Sequence, residues 1–200
     1  MSIIDFRMVN FYVVRHGNTE FNNKKTLQGG QIDSPLTDEG FKDAIFLSRK
    51  LKGIKFDAIF SSDLGRAFIT AHIIADSFGL TSIYRYKDLR EIDFGDLTAM
   101  PRDEAKLKYP DFKKDAKFRC PNGESYLDVK KRILKGLFSL SRKNYKNVLI
   151  VTHAGCIRGI MSAALGKDLN LLLEKAISHE FISKLEIKNK KIINFHIINE

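Results

Sequence analysis

Arg15-His16-Gly17-Asn18-Thr19-Glu20-Phe21-Asn22 places a cation, an imidazole and a flexible glycine directly after the apolar run Phe11-Tyr12-Val13-Val14. An imidazole can attack phosphorus when one ring nitrogen is unprotonated and aimed, and a hydrogen bond from the other nitrogen to a backbone carbonyl is the usual way to fix that tautomer. The guanidinium of Arg15 beside it offers planar paired donors that fit phosphoryl oxygens. Asn22, one turn of chain later, can add a neutral donor. The arrangement recurs at Val148-Leu149-Ile150-Val151-Thr152-His153-Ala154-Gly155, where a second apolar run ends in His153 and a small-residue turn whose N–H groups could face an anion. Judged alone, either histidine is explained as well by packing. Two strands that each deliver a histidine at the carboxyl end point instead to the edge where open α/β sheets bind ligands.

Two further residues fit the same chemistry. Arg66 lies in Ser61-Ser62-Asp63-Leu64-Gly65-Arg66-Ala67, just inside a helix N-terminus. A cation there opposes the helix dipole, a conflict that a docked anion would remove; the competing reading is an ion pair with Asp63. Glu91, in Leu89-Arg90-Glu91-Ile92-Asp93-Phe94-Gly95, is a candidate for protonating the leaving oxygen when a P–O bond breaks. Spacing and propensity do not single it out among 24 acidic residues.

Strand-like and helix-like segments alternate along the chain, which predicts a three-layer α/β/α fold with a mostly parallel sheet. Met8–Val14 reads as the first strand. Thr37 caps a helix to about Leu51, with Phe41, Ala44, Ile45, Leu47 and Leu51 as its apolar positions. Asp57–Ser61 is a short buried strand. Leu64, Ala67, Phe68, Ala71, Ile74, Ala75 and Phe78 recur at helical spacing, with Gly79 as the stop. A short strand near Ile83–Arg85 and a short helix near Asp103–Tyr109 follow. Ser125 and Asp128 form a capping box for a long helix carrying Leu127, Ile133, Leu134, Leu137 and Phe138. Val148–Thr152 is a strand followed by a helix from about Cys156 to Leu165. Phe181–Ile187 and Lys191–Ile198 form a closing hairpin around Lys188-Asn189-Lys190.

Two hundred residues, 44% of them apolar, suffice for one domain across 1–200, with residues 1–7 a loose extension ahead of the first strand. The net charge of +10 favours anionic partners, although the basic residues are spread along the chain and much of the excess reads as solvated surface. Cys120 and Cys156 have no metal or redox spacing and read as reduced thiols of a cytoplasmic protein. No signal-peptide core and no stretch of about 20 apolar residues is present, so no membrane association is expected. The basic balance comes without an aromatic-plus-basic nucleic-acid motif, and no nucleic-acid partner is expected. Oligomeric state is left open.

Taken in order, Arg15-His16-Gly17-Asn18-Thr19 with Asn22, Asp33-Ser34-Pro35-Leu36-Thr37, Ser61 to Ala67 with Thr70-Ala71, Leu89 to Gly95, Asn122-Gly123-Glu124-Ser125 and Val151 to Gly155 resemble the histidine phosphatase superfamily, also called the phosphoglycerate mutase-like family. The resemblance implies a phosphohistidine intermediate on His16. It implies that Arg15, Arg66 and His153 neutralise the phosphoryl oxygens, that Asn22 adds a hydrogen bond, that Gly17 and Ala154 complete the substrate contacts, and that Glu91 serves as acid and then as base. It implies no metal, no cofactor and a small phosphorylated substrate. Three departures narrow it. Ala154 stands where acid phosphatases of the other branch carry Asp. Ile92 stands where mutases carry an Arg that helps hold the substrate carboxylate, and this chain is short for a mutase. Leu97-Thr98-Ala99 replaces the Trp-Glu-Gly of many small phosphatases. The sequence is therefore most similar to the small phosphatase branch that includes α-ribazole and broad-specificity phosphatases. A mutase-type phosphotransferase and a catalytically inactive phosphate-binding module are the alternatives. The role of His179 and of residues 96–122 in specificity is left open, with Tyr84, Tyr86 and Phe94 as further candidates for the leaving-group pocket.

Overall fold

The computed structural model describes residues 8–199, so the expected extension at residues 1–7 lies outside the described residues. Six strands form one sheet: β1 Val9–Arg15, β2 Ala58–Ser61, β3 Ile83–Arg85, β4 Asn147–Thr152, β5 Ile182–Lys188 and β6 Lys191–Ile197, in the order β3-β2-β4-β1-β5-β6. The first four pair in parallel, and the closing hairpin adds two antiparallel strands. The hairpin turns tightly because Asn189 and Lys190 both adopt positive φ.

Strands β1, β2 and β4 are apolar on both faces, as a sheet between two helical layers requires. Phe11, Val13, Val148 and Ile150 point to one core. It also holds Val129, Ile133 and Leu137 of helix α5 (Tyr126–Leu140) and Ile157, Ile160 and Met161 of α6 (Ala154–Leu165). Their neighbours Val14, Leu149 and Val151 point to the other core, which holds Leu47 of α2 (Asp38–Lys50) and Ala67, Ala71 and Ile74 of α3 (Gly65–Ser77). A single helical turn, α1 (Glu20–Asn23), and a short helix, α4 (Arg102–Lys108), complete the α-helices among the described residues.

Helix caps fall where side-chain chemistry predicts. Thr37 accepts from the Gly40 N–H, and Ser125 with Asp128 forms the reciprocal capping box. Two expectations need correction. Phe41 and Ile45 of α2 are 46% and 41% exposed, because the buried stripe is the narrower Ala44-Leu47-Leu51 line. The helix after β4 starts at Ala154 rather than near Cys156, with His153 itself in the cap position. No helix among the described residues is long and apolar enough to cross a membrane.

Parallel strands open to the same edge. Arg15 pairs with Thr152 and the His16 N–H donates to the Thr152 carbonyl at 3.0 Å, so His16 and His153 leave neighbouring strands side by side. Helix α2 follows β1 on one face and α6 follows β4 on the other, which opens a crevice between those strands.

One loop position carries identifiable strain. Ala99, at the glycine position of the replaced Trp-Glu-Gly motif, is exposed with φ +66°. A left-handed conformation costs a non-glycine residue roughly 1–2 kcal/mol, and the extra chain entropy of glycine returns about 0.4–1 kcal/mol of that. Ala99→Gly is expected to stabilise the fold by about 0.5–1 kcal/mol. Thermal melting should show a rise of about 1–4 °C.

Candidate active site

The crevice holds a cavity of about 200 Å³, lined by Arg15, His16, Asn22, Gln28, Gly29, Arg66, Glu91, Ala154 and several further residues. His16 is 3% exposed. Its Nδ1 lies 2.7 Å from the Gly17 carbonyl. A carbonyl can only accept, so Nδ1 carries the proton and Nε2 keeps its lone pair. Burial, then the nearby guanidinium charges of Arg66 and Arg15, hold the imidazole well below its usual pKa, so the ring is neutral at pH 7.

His153 is fully buried, with its ring centroid 5.1 Å from that of His16, and neither of its ring nitrogens has a hydrogen-bond partner among the described residues. Burial and the nearby Arg66 and Arg15 also keep it neutral. The positive charge expected of His153 is therefore absent from the resting site. Its ring offers a neutral N–H until an anion arrives.

Arg66 is anchored from three sides. Nη1 donates to Asp33 Oδ1 at 2.6 Å and to the Ile32 carbonyl at 3.0 Å, and Nη2 donates to the Gly29 carbonyl at 2.7 Å. The Asp33 carboxylate also accepts from the Gly65 and Arg66 N–H groups. The anion expected at the N-terminus of α3 is thus a side chain of the same protein. Asp63, the expected rival partner, instead binds Arg90 through two bonds of 2.6 and 2.8 Å. The buried Nε atoms of Arg66 and Arg15 remain unpartnered. Nη1 of Arg15 donates to the Ile177 carbonyl, which sets the guanidinium against the cavity wall.

Glu91 reaches the cavity because three elements hold its loop. Thr152 Oγ1 donates to the Leu89 carbonyl at 2.7 Å, and the Cys156 thiol to the Arg90 carbonyl at 2.9 Å. Arg132 of α5 donates to the carbonyls of Asp88, Arg90 and Glu91 and pairs with Glu124. The Glu91 carboxylate accepts from the Gly155 N–H at 3.0 and 3.1 Å. A Cβ on Gly155 would sit 2.2 Å from Glu91 Oε1, so only glycine permits this approach. Both cysteines are buried and unpaired, and burial pushes Cys120 up to about 11 and Cys156 up to about 12.

Asn22 lines the cavity, but its Oδ1 is used by the N–H and hydroxyl of Thr19, which leaves the amide nitrogen to donate. Ala154 opens α6 on the cavity wall. Gly17 differs from its expected part as a substrate contact. Its N–H donates to Thr70 Oγ1 and its carbonyl binds His16, so it serves by orienting the imidazole. Phe94 lines the cavity, whereas Tyr84 and Tyr86 pack against Phe60 elsewhere. His179 packs edge-on against His16, with Nδ1 2.7 Å from the His16 carbonyl. His72 and His196 are exposed. Arg102, Lys113, Tyr126 and Arg158 also line the cavity and were not singled out by sequence. Of these, only Arg158 had a usable signal, lying one helical turn after Ala154.

The sequence profile of the histidine phosphatase superfamily (branch 1) matches residues 11–198. The chain belongs to that superfamily. A Hydrogenobacter thermophilus protein, provisionally named phosphoserine phosphatase 2, is 31% identical over 92% of this chain and 92% of its own length. A Yersinia pestis protein, provisionally named phosphoglycerate mutase GpmB, is 34% identical over 80% of this chain and 76% of its own. The solved structure of Bacillus stearothermophilus YhfR superposes with a TM-score of 0.83 at 32% identity, covering 94% of this histidine phosphatase and 95% of YhfR.

The neutral buried histidines make stability depend on pH. Between the unfolded value near 6.5 and the depressed native values, the unfolded chain binds more protons than the native one. Each histidine's contribution is therefore complete above about pH 6.5 and is lost as pH falls below it, by up to about 1.4 kcal/mol per pH unit. His179, pushed down to about 3 by burial and Arg15, adds to the effect of His16 and His153. Urea midpoints measured from pH 7.5 to 4.5 should fall steeply below 6.5, and His179→Asn should make the slope shallower.

Proposed function

We propose that this chain is a phosphomonoester hydrolase that acts through a phosphohistidine on a small phosphorylated metabolite. The observation that carries the reading is the His16 Nδ1 bond to the Gly17 carbonyl. It leaves Nε2 as a neutral nucleophile in a cavity whose Arg15 and Arg66 guanidiniums each retain a buried, unpartnered Nε. In the first step Nε2 bonds to phosphorus while the bond from phosphorus to the leaving oxygen breaks. Glu91 gives its proton to that oxygen. In the second step water attacks the phosphohistidine, Glu91 takes the water proton, and phosphate leaves with the His16–phosphorus bond broken. Arg15, Arg66 and the N–H of His153 stabilise the phosphoryl oxygens, with Asn22 adding a donor, in the manner of phosphoryl transfer by positioning and charge. The family membership and the phosphatase relative support hydrolysis.

A mutase is less well supported. Ile92 is 1% exposed in the core and offers nothing to a substrate carboxylate. An inactive module is disfavoured because nucleophile, acid and cations all keep supported geometry. Two other carboxylates near the Glu91 loop are engaged elsewhere, Glu124 with Arg132 and Asp93 with the Gly95 N–H. We assign one domain, a cytoplasmic location consistent with two buried free thiols, and no nucleic-acid or membrane partner.

Nucleophile and acid are separable by experiment. His16→Ala should abolish turnover and acid-quench trapping of phosphoprotein. Glu91→Gln should slow alkyl phosphate hydrolysis by about 10²–10⁴-fold, the usual worth of a general acid. Loss on an aryl phosphate, whose leaving group needs less help, should be smaller and accompanied by accumulated phosphohistidine. Gly155→Ala, which displaces the Glu91 carboxylate, should reproduce that pattern. Equal losses on both substrates without phosphohistidine would remove Glu91 from this role.

The reaction should also need no metal, since guanidiniums supply the charge a divalent ion would bring and no metal-ligand cluster occurs among the described residues. Aryl phosphate hydrolysis is expected to persist in chelator. Loss restored by a divalent ion would contradict the reading.

A further inference from the structure

The cavity carries more positive charge than one phosphoryl group uses. Arg15, Arg66, Arg102, Lys113 and Arg158 line it, with Glu91 as the one carboxylate in the lining. Arg15 and Arg66 serve the side of His16, and Arg66 is already matched by Asp33. Arg102 begins α4, Lys113 lies in the turn after it, and Arg158 stands on the second turn of α6. No carboxylate among the described residues lies within ion-pair distance of these three.

The trio is built at a cost. Arg158 is only 7% exposed; one Nη2 bond to the Lys175 carbonyl holds it, and its Nε is buried without a partner. Arg102 Nε is likewise buried and unpartnered. Lys113 is half-buried in the same cavity wall. Burial, then the charges of Arg158 and Arg102, push its ammonium down to about 7. A solvated basic surface does not bury guanidinium Nε atoms without a partner. Unpaired like charge collected in one cleft is tolerated where a ligand relieves it. Arg66 and Arg15 are the arginines acting most on His16, and Arg15 in turn feels Arg158 and Arg102 more than Arg66, so the positive charge runs on from the His16 side of the cavity to Arg102 and Arg158.

We propose that Arg102, Lys113 and Arg158 form a second anion site, so that the preferred substrate is a compact phosphomonoester whose leaving group itself carries an anionic oxygen group, a carboxylate or a second phosphate. The proposal rests on His16 and its cations taking the phosphoryl group. A volume of about 200 Å³ lies below the range of roughly 300–1,000 Å³ typical for drug-sized ligands, which favours a short leaving group. A neutral leaving group would leave the buried Arg158 and the half-buried Arg102 and Lys113 unmatched, and a cationic one would add repulsion.

A two-carbon series tests this with the wild-type enzyme. Phosphoglycolate and ethylene glycol bisphosphate carry the second anion, ethylene glycol monophosphate replaces it with a hydroxyl, and phosphoethanolamine replaces it with a cation. The first or second compound should exceed the last two in kcat/KM by about 10–100-fold, and whichever leads identifies the group as carboxylate or phosphate. Arg158→Gln and Lys113→Gln, made separately, should each reduce that selectivity ratio at least several-fold; losses in the shared phosphoryl step cancel in it. Comparable kcat/KM across the series, with phosphohistidine still trapped on His16, would overturn the second site and spare the phosphatase reading. Failure to trap phosphohistidine with every substrate would overturn that reading first and this proposal with it.

Discussion

The pairing of β1 with β4 is the constraint on which the site depends. Both strands are buried on both faces, so their register is fixed from two sides, and a slip of one residue would exchange the two cores. In the register adopted, Arg15 lies opposite Thr152 and the two histidines emerge together. The Thr152 carbonyl then accepts from the His16 N–H while its hydroxyl holds the Leu89 carbonyl. One residue of β4 thereby ties the histidine loop to the acid loop.

The second theme is the concentration of charge in a small, water-poor space. Burial favours the neutral form of a base and makes every fixed charge felt more strongly. Here that keeps three histidines neutral while arginines surround them. The arginines are held by carbonyls and by Asp33, so the donors are fixed before any anion arrives. Such preorganisation is what phosphoryl transfer demands of a protein. The same logic explains Gly155, whose lack of a side chain lets the N-terminus of α6 receive the Glu91 carboxylate.

Much of the fold and the core of the site were legible in the sequence. Alternating apolar runs and capped helical stripes are local, and they fixed the strands, the helices and the parallel arrangement. Arg15, His16 and His153 were readable because strand ends point their residues at a known edge of the sheet. What tertiary structure decided is which charges meet. Asp33, rather than Asp63, reaches Arg66, because the loop after α1 folds back over α3. His153 is neutral because burial and the arginine cations gathered around it both disfavour its protonation. Arg102 and Lys113 come from residues 96–122 and Arg158 from α6, and only the tertiary fold gathers them at one cavity. Local patterning determines elements, whereas electrostatic partnership depends on distances of a few ångströms between segments far apart in the chain.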